Sequence, residues 1–185
     1  IKDSMVDMVS KKVKAAYRMD VQDMRILTNG KFFGPLKVDG TVERKDEKTV
    51  VADAVMHSIY GDMTLSELQY DLEAKKLDTT YDILIHNVNT LIPDASPSKV
   101  TAVSAKGKLR LSDTLSISGV TKGLGKRVEF SYDGKTAKVD ASELSVEKVL
   151  ALSGLPVYAK GTADSHIDFT NLDPEEGTFS FKSTK

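Results

Sequence analysis

The chain has 185 residues, a formal net charge of -1 from 26 basic and 27 acidic side chains, and neither cysteine nor tryptophan. That balance gives no bulk electrostatic reason to bind nucleic acid or an anionic surface, and the missing thiols exclude disulfides, thiolate zinc sites and cysteine nucleophiles. A chain of this size fits a single domain, residues 1–185, with enough material for a core. No apolar run approaches the roughly 20 residues that span a bilayer as a helix, and the start at Ile1 is read as that of a piece excised from a longer protein.

Ser4 is placed to cap a helix whose apolar positions Met5, Met8, Val9, Val13 and Ala16 follow helical spacing. The pattern then changes to strands. Tyr17, Met19 and Val21 alternate, Asn29-Gly30 offers a turn, and Leu36, Val38, Gly40 and Val42 alternate up to a charged tip at 44–48. Thr49 to Tyr60 is apolar on both series, which predicts a strand covered on both faces or carrying a bulge. Met63 to Leu72 and Leu77 to Val88, joined by Glu73-Ala74-Lys75-Lys76, read as a hairpin with Leu77, Tyr81, Ile83 and Ile85 on one face.

Two prolines and small polar residues make 93–98 the best internal boundary, separating two sheet-rich halves. Beyond it Val103 to Leu111, Leu115 to Thr121, Arg127 to Tyr132 and Thr136 to Ala141 alternate at a spacing that suits an antiparallel meander. Ser145 caps a second helix, Val146 to Leu152, stopped by Gly154 and Pro156. From Val157 to Phe169 alternation is nearly unbroken, with Val157, Ala159, Gly161, Ala163, Ser165, Ile167 and Phe169 on the face expected to be buried. After the turn at 173–177, Phe179 and Phe181 share a face. The expected fold is mainly β: an antiparallel meander forming a curved, groove-like sheet or a partly open barrel or sandwich, with two short helices.

Catalytic motifs are missing. His57, His86 and His166 lie in separate predicted strands without the spacing of a metal site, so no metal and no cofactor is expected. The run Lys122-Gly-Leu-Gly-Lys126 lacks the Walker spacing and reads as a hairpin turn; the acids Asp173, Glu175 and Glu176 surround a proline turn and stay solvated. No Gly-x-Ser-x-Gly elbow frames a serine nucleophile. The apolar faces themselves remain. A sheet whose small residues Ala159, Gly161, Ala163 and Ser165 leave room can admit the Val146 to Leu152 helix, a facing sheet, or an acyl chain held at about 0.8 kcal/mol per methylene. Val157, Ala163, Ile167, Phe169, Phe179 and Phe181 are the candidate lipid-groove residues.

The segment LSVEKVLALSGLPVYAKGTADSHIDFTNLDPEEGTFSF, Leu144 to Phe181, resembles the C-terminal repeats of the AsmA-like superfamily of bacterial envelope proteins that includes the TamB relatives. The matching positions are Val149 to Pro156, Gly161-Thr162, Ile167 to Thr170 and Gly177-Thr178, and the strand grammar of residues 14–88 is similar. The resemblance implies a long curved sheet with a hydrophobic groove and a periplasmic location. It further implies an inner-membrane anchor outside this chain and a non-catalytic role in phospholipid movement or outer-membrane homeostasis. Members are usually several times longer than this chain. The expected partners are phospholipid or another lipid, with envelope proteins or neighbouring repeats, and no nucleic acid. The other reading is a structural β-sandwich module that binds a protein partner through an open edge strand.

Overall fold

The computed structural model describes residues 4–7, 12–26, 33–86, 102–152, 157–171 and 177–184. They form one antiparallel sheet of twelve strands in sequence order: β1 Ser4–Asp7, β2 Lys12–Val21, β3 Leu36–Arg44, β4 Thr49–Ser58, β5 Gly61–Asp71, β6 Lys76–Ile85, β7 Val103–Leu111, β8 Leu115–Lys122, β9 Arg127–Tyr132, β10 Thr136–Ser145, β11 Thr162–Thr170 and β12 Thr178–Ser183. Each strand pairs only with its neighbours in the chain, so the meander is open: β1 and β12 are free edges, and no second sheet packs against it among the described residues. Among the described residues one α-helix, α1 Val146–Leu152, and one 3-10 turn, Met24–Ile26, complete the elements.

Along one rim, an aspartate carboxylate in each of three turns accepts two backbone N–H groups ahead of it. Asp46 Oδ1 accepts from Lys48 (2.8 Å) and Thr49 (2.7 Å), Asp71 Oδ1 from Glu73 (2.9 Å) and Ala74 (2.8 Å), and Asp133 Oδ1 from Lys135 (3.0 Å) and Thr136 (2.8 Å). Aspartate is favoured there because its short carboxylate mimics a backbone turn. The opposite rim carries α1. Ser145 caps α1 as its hydroxyl accepts from Lys148 N at 3.4 Å, and Lys148 Nζ reaches Gly123 O at 2.5 Å.

Four expectations need correction. The N-terminal helix is absent: Ser4–Asp7 and Lys12–Val21 are strands, paired through Ser4↔Ala15 to Asp7↔Lys12, and only one short helix exists among the described residues. Val13, Ala15, Tyr17, Met19 and Val21 alternate without a break, and pairing with β3 rewards that period over the helical one. The strand expected from Val157 starts only at Thr162, because Gly161 takes φ 132 and its N–H turns to Glu147 Oε2 at 3.2 Å. The bulge foreseen in β4 lies on its partner β5. Finally, α1 does not fill the space over β11; its main contact is with β10, beside the β8–β9 turn.

The 93–98 segment falls outside the described residues, as do Asn29-Gly30, Gly154, Pro156 and the acids at 173–176. The strands flanking 93–98, β6 and β7, pair from Leu77↔Leu111 to Ile85↔Val103, so the sheet continues through both halves.

Candidate functional site: a one-sided apolar sheet

Directly paired residues of an antiparallel sheet share a face, so the registers can be followed from strand to strand. One row runs Tyr17, Gly40, Ala54, Leu65, Tyr81, Gly107, Gly119, Phe130, Val139, Ile167, Phe179, from β2 to β12. None of its members is charged. With strands spaced about 4.8 Å apart, the row is roughly 48 Å long. A second row, two residues away along the strands, runs Met19, Val38, Met56, Met63, Ile83, Ala105, Thr121, Val128, Ala141, Ser165, Phe181. It contains two hydroxyls, Thr121 Oγ1 and Ser165 Oγ, and both are buried without a hydrogen-bond partner.

The other face is its opposite in chemistry. Directly paired positions there form ion pairs: Arg18–Asp39 at 2.5 Å, Lys106–Asp82 at 2.6 Å, Arg110–Asp78 at 2.8 Å and Lys138–Asp168 at 2.8 Å. These are half-exposed pairs screened by solvent, so they set the register and solubility of this face more than its stability.

Every buried strand residue lies on the apolar face: Val38, Ala54, Thr79, Tyr81, Val103, Val128, Ala141 and Ser165. Among the described residues no second layer covers this face. Two devices shape it. Tyr17 lies over Gly40, where a Cβ would meet the ring at 2.6 Å; Tyr81 lies over Gly107 and Gly119, where a Cβ would meet its hydroxyl at 2.7 and 2.5 Å. The Tyr81 hydroxyl donates to Ser118 O at 3.1 Å, and burial pushes this phenol above its ordinary pKa.

Two bulges bend the sheet, and they are copies of each other. Glu67 in β5 and Glu143 in β10 adopt φ 55 and 48, each within a Ser-Glu-Leu sequence, and the N–H of each donates to an aspartate on a neighbouring strand at 3.0 Å, Asp53 and Asp164 respectively. The extra residue raises local twist.

Five of the six sequence-predicted groove residues share the apolar face. Ile167 pairs with Phe179, Phe181 with Ser165, Ala163 with Leu144, and Phe169 meets Phe179 edge to face at 5.0 Å. Val157 is not among them; it precedes β11, outside the sheet, and is exposed. Sequence reading missed the larger part of the surface, β2 to β10, because only pairing aligns these residues into a row.

The histidines sit on the polar face or at its rim. His57 Nδ1 and His86 Nε2 both meet the Asp62 carboxylate, at 2.7 and 2.9 Å, a convergence invisible in sequence; the two bonds hold Asp62 below the usual carboxylate range, His57 contributing most. His166 Nδ1 meets Asp140 at 2.5 Å, and Ser180 is its paired neighbour on β12, but no hydrogen bond joins imidazole to hydroxyl. Among the described residues no group of histidines and carboxylates is arranged to hold a metal ion.

Compared with protein-family models, curated proteins and solved structures, the chain matches none.

Proposed function

We propose that this chain is a non-catalytic envelope domain of the periplasm whose apolar face binds or shields lipid acyl chains, aiding phospholipid movement or outer-membrane homeostasis. The observation that carries the reading is the uncharged row from Tyr17 to Phe179, unbroken across eleven strands of a sheet without a second layer among the described residues. A bilayer's hydrocarbon core is about 30 Å thick, so one acyl layer is about 15 Å, and the row of roughly 48 Å is about three chains long. Such a surface holds a tail by burial alone, about 0.8 kcal/mol per methylene, and needs no specific polar contact. Large uncovered apolar surfaces are uncommon on soluble monomers and mark interaction sites. The AsmA-like resemblance of residues 144–181 supports the same reading and supplies the periplasmic setting.

The test is mass spectrometry of phospholipid that copurifies with the chain. Ile167→Asp, in the apolar row, is expected to lose it, whereas Val120→Asp, on the polar face, keeps it, both with the circular dichroism of a folded sheet. Lipid-free wild-type protein, or equal lipid in both variants, would overturn the proposal.

A further inference from the structure

The strand β12 is unlike the rest of the sheet. All six of its residues are exposed, and its two phenylalanines carry the apolar face to the outermost strand of the described sheet: Phe179 is 51% and Phe181 64% exposed. Backbone direction can be read from Thr184, whose N–H donates to Thr162 O at 3.0 Å, in register with the β11–β12 ladder. Since hydrogen-bonding alternates along an antiparallel pair, Ser180 and Lys182 turn their backbone groups to β11, and Phe179 and Phe181 turn theirs outward.

We infer that two copies of this chain join through β12, antiparallel about a two-fold axis at Ser180. A two-fold axis perpendicular to the sheet keeps each face on its own side. In this register Phe179 pairs with Phe181 of the second copy and Phe181 with Phe179, in the hydrogen-bonded positions that the outward backbone groups supply. Four phenylalanines then form one cluster backed by Phe169 in each copy. On the polar face Lys182 stands opposite Thr178, so the one charged residue of the strand meets no like charge. Shifting the register by one pair leaves one phenylalanine of each copy opposite a serine or glycine. The self-complementary alternation of β12, and its continuity with the apolar row, thus select a second copy as occupant. The dimer would lengthen the row to roughly 100 Å at about 4.8 Å per strand. It does not rest on lipid binding.

Because the chain has no cysteine, Ser180→Cys places a single thiol on the axis, in a non-hydrogen-bonded pair whose Cα atoms are about 4.5 Å apart, within disulfide reach. Ser116→Cys, on the polar face of β8, is the control. In sedimentation of the full chain, delipidated, the inference expects a doubled mass for wild type and a single mass for Phe179→Lys with Phe181→Lys. Mild oxidation should cross-link Ser180→Cys and leave Ser116→Cys without an intermolecular disulfide. A wild-type chain that stays single, or equal cross-linking of the two cysteine variants, overturns it. Should the double-lysine variant fail to fold, the cysteine comparison decides alone.

Discussion

At Glu67 and Glu143 the backbone enters the left-handed region, for which glutamate has no preference of its own, and the Glu143 carboxylate pairs with Lys126 Nζ at 2.8 Å. An L-residue there brings Cβ close to the following carbonyl, at a cost of about 1–2 kcal/mol that glycine avoids. Glu67→Gly should therefore stabilise the sheet by about 1 kcal/mol in urea unfolding, since the N–H that Asp53 accepts is retained; a loss of stability would mean that the glutamate side chain holds the bulge. The twin Ser-Glu-Leu stands in the sequence, yet it could not be read as a bulge. Its aspartate partner lies 14 residues earlier in one case and 21 later in the other, so no local pattern joins them. The tyrosines over Gly40, Gly107 and Gly119 are equally out of reach of a local pattern, since each glycine is covered by a ring or hydroxyl from a different strand.

Single elements were legible where turn and strand chemistry agree. The strands from β3 to β10 stand close to where alternation puts them, and Asp133-Gly134 marks a turn that the structure contains, Gly134 at φ 96. The N-terminal segment failed because Met5, Met8, Val9, Val13 and Ala16 fit helical spacing while Val13 to Val21 fit a strand, and only the edge of β3 decides between them. The turn aspartates give a pH prediction. The carboxyls of Asp46 and Asp133 are held below the ordinary carboxylate range by the backbone N–H groups they accept, Lys48 and Thr49 for the first, Thr136 and Lys135 for the second. A carboxyl with a lowered folded pKa adds stability that is fully present above its unfolded value, about 3.9, and is lost as pH falls through the folded one. Wild-type protein should thus lose stability below about pH 4 more steeply than Asp46→Asn with Asp133→Asn, which keep an acceptor oxygen without the charge. Parallel acid limbs in urea midpoints measured against pH would show that these turns do not depend on ionisation.

The whole molecule is a sheet with one wet and one apolar side. Its accessible surface of 12452 Å² exceeds the roughly 8,800 Å² expected of a compact chain of 20.2 kDa, and no described side chain is less than 2% exposed. A sandwich would hide its apolar residues between two layers; among the described residues there is one. The mainly β, antiparallel meander was readable from alternation, whereas the N-terminal strand and the openness of the sheet were not, because the same alternation serves a closed barrel, a sandwich or an open sheet. The candidate site was found only at its C-terminal end, at Ala163, Ile167, Phe169, Phe179 and Phe181, since its length depends on registers between strands far apart in the chain. The most direct test of an acyl-binding face is photo-crosslinking by p-benzoylphenylalanine placed at paired positions of opposite face, in the full chain incubated with phospholipid vesicles. Lipid adducts are predicted at 130, 139 and 167, on the apolar row, and not at 131, 138 and 166, on the polar face; adducts of equal yield on both faces, or on neither, would contradict it.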